Sequence, residues 1–357
     1  MKTRAAILER RGGALRLEEI DLAEPGRGEV RVKVEACGIC RSDLHAIDGG
    51  EDVVFPAVLG HEAAGVVDGC GAEVGRLKVG DRVILSWTPA CGRCPSCARA
   101  QPQLCAGITM STGGGGPLAW NGKGVDRFMA LGAFSEYAVV PETMAIAIEG
   151  EIPAAHACLI GCAVMTGYGA ATKTARVRRG ETVAVIGCGG VGLAAVQGAR
   201  LAGANRILAV DPIGTRREKA LAVGASDAFA PGDAAGAVGA ITEGGADVAI
   251  ECVGRTETMQ EAFAMVRPGG RAVVVGLPEF GDRLEIEPVL LLFEKSIKGS
   301  MYGSAEPLLD FPALVSLYDQ GELDLGALVA DTRPFAEIND AIAETRQCPA
   351  GRIVVTF

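Results

Sequence analysis

Four cysteines, Cys91, Cys94, Cys97 and Cys105, fall within the stretch CGRCPSCARAQPQLC. Thiolates at this spacing are the donor set of a tetrahedral zinc site, and Gly92, Pro95 and Pro102 supply the turns that let one short segment wrap an ion. With every position filled by protein, such an ion has no open face for chemistry and serves folding. The rival readings are a redox CxxC, which uses two cysteines beside a βαβ unit, and four free surface thiols.

A second set of donors is scattered. ACGICRSDLH holds Cys40, Ser42, Asp43 and His45; LGHEAAG holds His61 and Glu62; LIGCAVMTGYG holds Cys162. Two sulfurs and one imidazole from separate loops would leave a fourth position for water or substrate, as a catalytic zinc requires. Each cysteine taken alone is more simply a small buried hydrophobe. The chain has only three histidines, which gives His61 weight; His156, in PAAHAC, reads as an exposed polar residue without a role.

The third signal is ETVAVIGCGGVGLAAVQGARLAGANRILAVD. TVAVIG reads as a buried parallel strand, VGLAAVQGARLAG as a helix of small residues and RILAV as the next strand, so GxGxxG falls at a strand-to-helix turn. Gly187 permits the tight turn, Gly189 lets backbone approach a pyrophosphate, and Gly192 lets the helix pack close to the sheet; Gly190 and Val191 complete the turn. The phosphates would rest on the helix N-terminus. Asp211 ends the second strand 19 residues after Gly192, close to the ~20 at which an acid holds the adenosine ribose hydroxyls. An aspartate there repels a 2′-phosphate and favours NAD over NADP, a preference that the nearby Arg216 softens.

The elements around these residues sort into two kinds. Strand-like runs continue at DAFA, ADVAIECVG, RAVVVGLP and SIKGSMYG with helical segments between them, which predicts a six-stranded, doubly wound parallel sheet and an α/β fold. The first 160 or so residues instead hold short β-rich runs such as GEVRVKVEA, AAGVVDGC and DRVILSW, broken by Gly and Pro, as in a mainly β domain. STGGGGPLAWNGKG, at 111–124, reads as a loop.

Composition excludes several classes. Thirty-four Lys and Arg against 44 Asp and Glu leave a net charge of −10, with no basic surface for a nucleic acid. Apolar runs such as RAVVVGLP and VLLLF are far shorter than the ~20 residues of a membrane span, and MKTRAAILERRGG lacks the apolar core of a secretory leader, so a soluble cytoplasmic protein is expected. Twelve cysteines in that setting are thiols or metal ligands rather than disulfides. Cys37, Cys70, Cys158, Cys188, Cys252 and Cys348 are left as buried or spectator thiols, although Cys37 forms a CxxC with Cys40.

From GICRSD and GHEAAG through the four-cysteine segment, LIGC, TGYG and GCGGVGL to GRIVVTF, the whole chain resembles the zinc-containing alcohol dehydrogenases of the medium-chain dehydrogenase/reductase superfamily. The resemblance implies a catalytic zinc on Cys40, His61 and Cys162 and a structural zinc on Cys91, Cys94, Cys97 and Cys105. It implies a GroES-like catalytic domain, 1–163 and 302–357, with the structural lobe at 91–105, split by an inserted Rossmann NAD-binding domain at 164–301. Asp43 would orient His61 and Glu62 would sit behind the metal. Arg41 and Arg352 match contacts to the pyrophosphate, and Val191 and Thr166 match positions at the nicotinamide. It also implies a homodimer, or a homotetramer, through the sheet edge near SIKGSMYG.

The activity implied is reversible hydride transfer between a primary aliphatic or aromatic alcohol and NAD. The alcohol proton would leave through the Ser42 hydroxyl, the nicotinamide ribose and His45; a plain surface histidine is the bland reading of the last. Positions matching the substrate pocket are Trp87, Leu104, Met110, Phe128, Met129, Leu277 and Met301, an apolar, partly flexible lining in which the bulk of Trp87 disfavours branched secondary alcohols. One branch of the family oxidises thiol adducts of formaldehyde. Its adduct-binding arginine falls here near Ile108 and Thr109, with no basic residue in reach, and His45 stands where that branch has Tyr, while Glu51 lies near its acidic pocket position. The alternative of another class is a catalytically silent NAD-binding relative, which the intact ligand set disfavours.

Overall fold

The computed structural model describes residues 1–242 and 244–357. It divides into two compact units, the first formed by Met1–Cys162, Glu306–Gly321 and Val329–Phe357, the second by Ala163–Ala305 and Glu322–Leu328.

The first unit carries two sheets. β1 (Lys2–Leu8), β2 (Arg16–Leu22), β4 (Ala57–Val58), β7 (Leu118–Trp120), β8 (Lys123–Gly124) and β9 (Asp126–Arg127) run in the order β8-β7-β2-β1-β4-β9. The second sheet holds β3 (Glu29–Gly38), β5 (Glu62–Cys70), β6 (Arg82–Leu85), β10 (Tyr137–Pro141), β11 (Ala145–Ala147), β18 (Val329–Pro334) and β19 (Arg352–Thr356) in the order β11-β6-β5-β3-β19-β18, with β10 also paired to β3. β3 shows why these residues form strands: Val30, Val32, Val34 and Ala36 are buried while Arg31, Lys33 and Glu35 alternate with them, the period-two pattern of a strand with one face on the core. Phe128, Phe134 and Phe311 are fully buried in this unit, each contributing about 1.5–3 kcal/mol relative to exposure.

Two expectations are corrected here. The stretch 111–124 is not all loop: Asn121 and Gly122 adopt φ of 51° and 74° and close a hairpin that pairs Trp120 with Lys123. Asn-Gly between two short strands is the signal of that turn, since both central residues need left-handed backbone. Second, the chain does contain a long apolar helix, Ala154–Thr174, with a mean hydropathy of 1.3 over the window that would cross a membrane, and 67% of that window is buried within the protein. Glycine, threonine and cysteine break up its apolar runs, which is why they look short in the sequence. The helix widens into two π-helical turns, Ile160–Val164 and Ala170–Thr174, and the first of these holds Cys162.

The second unit is a six-stranded parallel sheet of β12 (Thr182–Ile186), β13 (Arg206–Val210), β14 (Asp227–Phe229), β15 (Ala246–Glu251), β16 (Val266–Val274) and β17 (Ser296–Gly299), ordered β14-β13-β12-β15-β16-β17. This is the doubly wound order, with its reversal at β12 and β15 beside the glycine turn. Central strands such as TVAVI are apolar without alternation because helices cover both faces. Segment 322–328, which the sequence reading gave to the first domain, packs with the second unit: Gln197 Nε2 donates to the Asp324 carbonyl at 2.9 Å and the Asp324 amide returns a bond to Gln197 Oε1 at 2.7 Å. Residues 302–305 join it as well, and Ser304 Oγ lies 2.7 Å from Thr174 Oγ1.

Candidate functional site

Helix Arg41–Asp48 opens at Cys40, whose extended backbone (φ −97°, ψ 158°) and reciprocal bonding with Asp43 form a capping box. The Cys40 amide donates to Asp43 Oδ2 at 2.9 Å, and Gly60 N donates to Asp43 Oδ1 at 3.0 Å. The same Oδ1 lies 3.3 Å from His61 Nδ1. One buried carboxylate therefore fixes the residue before the helix, the turn before β5 and the imidazole between them. Such a partner selects the tautomer that leaves Nε2 as the free donor atom.

His61 Nε2 is buried and makes no hydrogen bond. It lies with Cys40 Sγ, Cys162 Sγ and a Glu62 carboxylate oxygen in a group whose donor atoms are all within 4.8 Å of one another. A buried nitrogen without a partner costs about 1–3 kcal/mol; facing two sulfurs, it fits a tetrahedral cation with S, N and S donors. Burial opposes protonation of His61, but Asp43 and Cys40 outweigh it and hold the imidazole well above its ordinary pKa. Contact with Cys162 together with Arg352 pulls the Cys40 thiol down, and that contact with burial pushes Cys162 up. Cys37, the other member of the CxxC, stays outside the group, its Sγ 3.7 Å from the Gly38 carbonyl.

Arg352, matched in the sequence to a pyrophosphate contact, turns its guanidinium to the metal group. Its Nη2 stands 3.3 Å from Cys40 Sγ and 3.1 Å from Glu62 Oε1, and the side chain is 11% exposed. Burial pushes Glu62 up to about 7 against the pull of this cation. Spacing gives no sign of the pair, because Glu62 and Arg352 meet only where β19 is laid beside β3. Ser42 Oγ is 3.8 Å from Cys40 Sγ, His45 is half-buried one turn further along the helix, and Arg41 is exposed.

The remaining first-unit positions divide. Trp87, Phe128 and Met129 are buried, Met110 is half-buried and Leu104 is 48% exposed. The Phe128 ring meets the His61 ring edge-on, centroids 5.6 Å apart at 78°. His156 is not a free surface group: it is half-buried, with Nδ1 3.1 Å from Tyr318 Oη.

In the four-cysteine lobe all donor sulfurs lie within 4.8 Å of one another. Backbone amides of Cys97 and Ala106 point at Cys94 Sγ, and those of Cys91 and Gly107 at Cys105 Sγ. Amides aimed at sulfur stabilise thiolate: those of Ala106 and Cys97 bring Cys94 down to about 6, whereas desolvation pushes Cys97 up to about 12. Four sulfurs so close, half of them cradled by N–H groups, fit a closed zinc site.

In the second unit Gly187 takes φ 89°, and a Cβ on Gly192 would stand 1.8 Å from the Gly187 carbonyl oxygen. Both positions thus require glycine, one for conformation and one for the approach of helix Gly190–Leu201 to the turn. Gly189 and Val191 are half-buried at that turn, as is Thr166 on its own helix. Asp211 is buried, accepting from Cys188 N at 2.8 Å and Ile213 N at 2.9 Å, with Arg216 Nη1 3.6 Å away. Leu277 and Met301 are 45% and 39% exposed. The sequence reading missed Glu251, buried at the end of β15, whose Oε1 accepts from Val253 N, Gly254 N and Thr258 Oγ1 at 2.7–2.8 Å. An acid ending an apolar strand just before a glycine turn is the signal that could have found it.

Residues 26–150 match the family model of the alcohol dehydrogenase GroES-like domain, and residues 190–320 match that of zinc-binding dehydrogenases. An NDMA-dependent alcohol dehydrogenase of Amycolatopsis methanolica is 40% identical, the similarity covering 97% of this chain and 96% of the relative. The benzyl alcohol dehydrogenase structure from Acinetobacter calcoaceticus is similar with a TM-score of 0.95 and 32% identity, over 100% of this chain and 99% of that one. A structure of an alcohol dehydrogenase zinc-binding domain protein from Burkholderia ambifaria gives 0.96 and 33%, with the same coverage.

Proposed function

The chain belongs to the zinc-containing alcohol dehydrogenases of the medium-chain dehydrogenase/reductase superfamily, and on that premise we propose that it transfers a hydride reversibly between a primary alcohol and NAD. The observation that carries this reading is the buried, unpartnered Nε2 of His61 facing Cys40 and Cys162 while Asp43 engages its other ring nitrogen. Zinc held there would supply Lewis acidity that lowers the pKa of an alcohol hydroxyl, and NAD would accept the hydride.

The chain's own residues do the rest. Asp43 keeps the imidazole oriented, and Arg352 offsets the negative charge of Cys40 and Glu62. Ser42 and His45 lie on one helix as an exit for the alcohol proton. The open space at Gly189, where a Cβ would meet only Arg216 Nη2 at 4.0 Å, and the buried Asp211 carboxylate suit a dinucleotide with two free ribose hydroxyls, which supports NAD. Apolar Trp87, Met110, Phe128 and Met129 in the first unit suit an unbranched aliphatic or aromatic substrate, and a relative 32% identical bears the name benzyl alcohol dehydrogenase. The four-cysteine lobe would hold a second zinc. Association into a homodimer through β17 is part of the same reading: that strand ends its sheet, and Phe280, Leu292 and Phe293 nearby in sequence are 89%, 81% and 56% exposed.

Zinc-replete protein is assayed with benzyl alcohol and a short alkanol, with NAD, and with and without NDMA because a 40% identical relative is named for it. Parallel reactions use formaldehyde with and without a panel of thiols. Aldehyde formation from the free alcohols is expected; strict thiol dependence would replace this reading with oxidation of a thiol adduct. NAD binding without any turnover would indicate a silent relative.

A further inference from the structure

Asp126 is fully buried in β9, and its carboxylate takes five hydrogen bonds. Oδ1 accepts from Thr112 N at 2.6 Å, Thr112 Oγ1 at 2.8 Å and Arg127 N at 2.8 Å. Oδ2 accepts from Ser111 Oγ at 2.5 Å and Val54 N at 3.0 Å. Burial works against the charge, but the Ser111 and Thr112 bonds outweigh it and hold the carboxyl below its ordinary value. An unpaired carboxylate in such a place would be strongly destabilising, so the five donors are what keep it there.

Those donors belong to three segments that are distant in sequence: the approach to β4, the loop at 111–112 and β9 itself. All three lead to one wall. The Asp126 amide donates to the Pro56 carbonyl at 2.9 Å, and β4 then runs through Leu59 and Gly60 to His61. The Met129 amide donates to the Met110 carbonyl at 3.0 Å, joining the loop to the turn after β9. That turn is tight, with Met129 and Ala130 at φ 51° and 57°, and it sets the Phe128 ring edge-on against His61. Methionine side chains bend easily, so where Met110 and Met129 lie is decided by the backbone that carries them.

We propose that Asp126 is a specificity-determining positioning residue: its carboxylate fixes the wall that runs from Met110 through Met129 to Phe128, whose ring lies against His61, and so sets the size of alcohol the centre accepts. This rests on the alcohol-oxidising reading above. The carboxylate touches neither substrate nor metal ligand; it acts through the backbone on either side of the wall. A rigid aryl alcohol needs the wall in place, whereas a short alkanol reaches the centre without leaning on it.

The test compares wild type with Asp126→Asn, whose amide would turn a donor toward N–H and O–H groups. kcat/KM for benzyl alcohol should fall on the order of tenfold to a hundredfold, the scale of a wall displaced by about an ångström. The value for ethanol, the KM for NAD and the metal content should hold within a small factor. Amide exchange in peptides covering 109–113, followed without substrate, should accelerate. A benzyl-to-ethanol ratio that stays put while exchange accelerates makes Asp126 a loop cap only and overturns the proposal, and unchanged exchange overturns it too. If Asp126→Asn does not fold, Ser111→Ala removes one bond and keeps the charge; it should shift the ratio in the same direction by less, and an unmoved ratio there is equally fatal. A wild type that oxidises no alcohol sinks the functional reading instead, while the exchange comparison still reports whether the carboxylate holds the loop.

Discussion

Replacing Asp43 with asparagine would perturb the proposed metal centre without touching a donor atom. The carboxylate accepts from three groups: Cys40 N on Oδ2, and Gly60 N and His61 Nδ1 on Oδ1. Asparagine can keep its carbonyl toward Gly60 and His61, but its amide then meets the Cys40 amide donor to donor; flipped, it loses the other two. One buried donor left unsatisfied costs about 1–3 kcal/mol of stability. His61 also loses an anionic partner, which in comparable metal sites lowers affinity by about 10–100-fold, or about 1.4–2.7 kcal/mol. Competition against a graded chelator, with zinc counted by mass spectrometry of the native protein, reads this directly. Asp43→Asn should drop from two zincs per chain to one at a chelator concentration that leaves wild type with two, the survivor being that of the four-cysteine lobe. Parallel chelator curves for the two proteins would refute the reasoning, as would loss of the lobe's ion first.

Three further outcomes follow from the structure. Gly192→Ala places a Cβ 1.8 Å from the Gly187 oxygen; an overpacking penalty of about 1–3 kcal/mol and loss of NAD binding by calorimetric titration are expected, and wild-type affinity would show that the helix does not depend on that approach. Cys94→Ser should lower the melting temperature and remove one zinc, whereas Cys40→Ser should abolish turnover and leave fold and NAD binding intact; a well-folded Cys94→Ser protein that has lost only catalysis would contradict the division. Glu181 is held below its ordinary carboxylate range because the Arg271 fork, at 2.6 and 3.0 Å, outweighs burial. Its contribution is therefore full above about pH 4.3, the unfolded value, and is lost as pH falls through the lower folded value. Glu181→Gln should cost about 1–3 kcal/mol at pH 7, and the gap in melting temperature should close in acid; a gap that is the same at pH 7 and pH 3 would refute the assignment.

Local chemistry was legible in proportion to how local it is. The four cysteines of the lobe declare themselves by spacing because one short segment supplies all the donors, and the glycine turn does so because strand, turn and helix are consecutive. Cys40, His61 and Cys162 carry no spacing signal. Their meeting depends on β3, β5 and a π-turn in a helix more than a hundred residues away in the chain, and only resemblance to a family bridged that distance. Asp43 came only with the resemblance, although its place three residues after Cys40 is a capping-box spacing that the structure bears out. Arg352 was matched to a cofactor contact and Asp126 went unread, since the sequence does not show what the fold lays over a charge. The Asn-Gly hairpin was readable and was passed over amid neighbouring glycines.

The position of β19 between β3 and β18 has a consequence for biosynthesis. β3 is complete once residue 38 has been made, yet the strand that covers one of its flanks spans Arg352–Thr356 and pairs Val354 with Gly38. β10 closes the Glu29–Lys33 part of that flank, but its Ala36–Gly38 end stays open until β19 has been made roughly three hundred residues later, its amides and carbonyls available to any stray extended segment. Strand pairing across so long a separation is slow and leaves the unpaired edge exposed to aggregation meanwhile. The same late strand delivers Arg352 to Cys40 and Glu62, so the guanidinium beside the candidate metal ligands arrives only once β19 has been made.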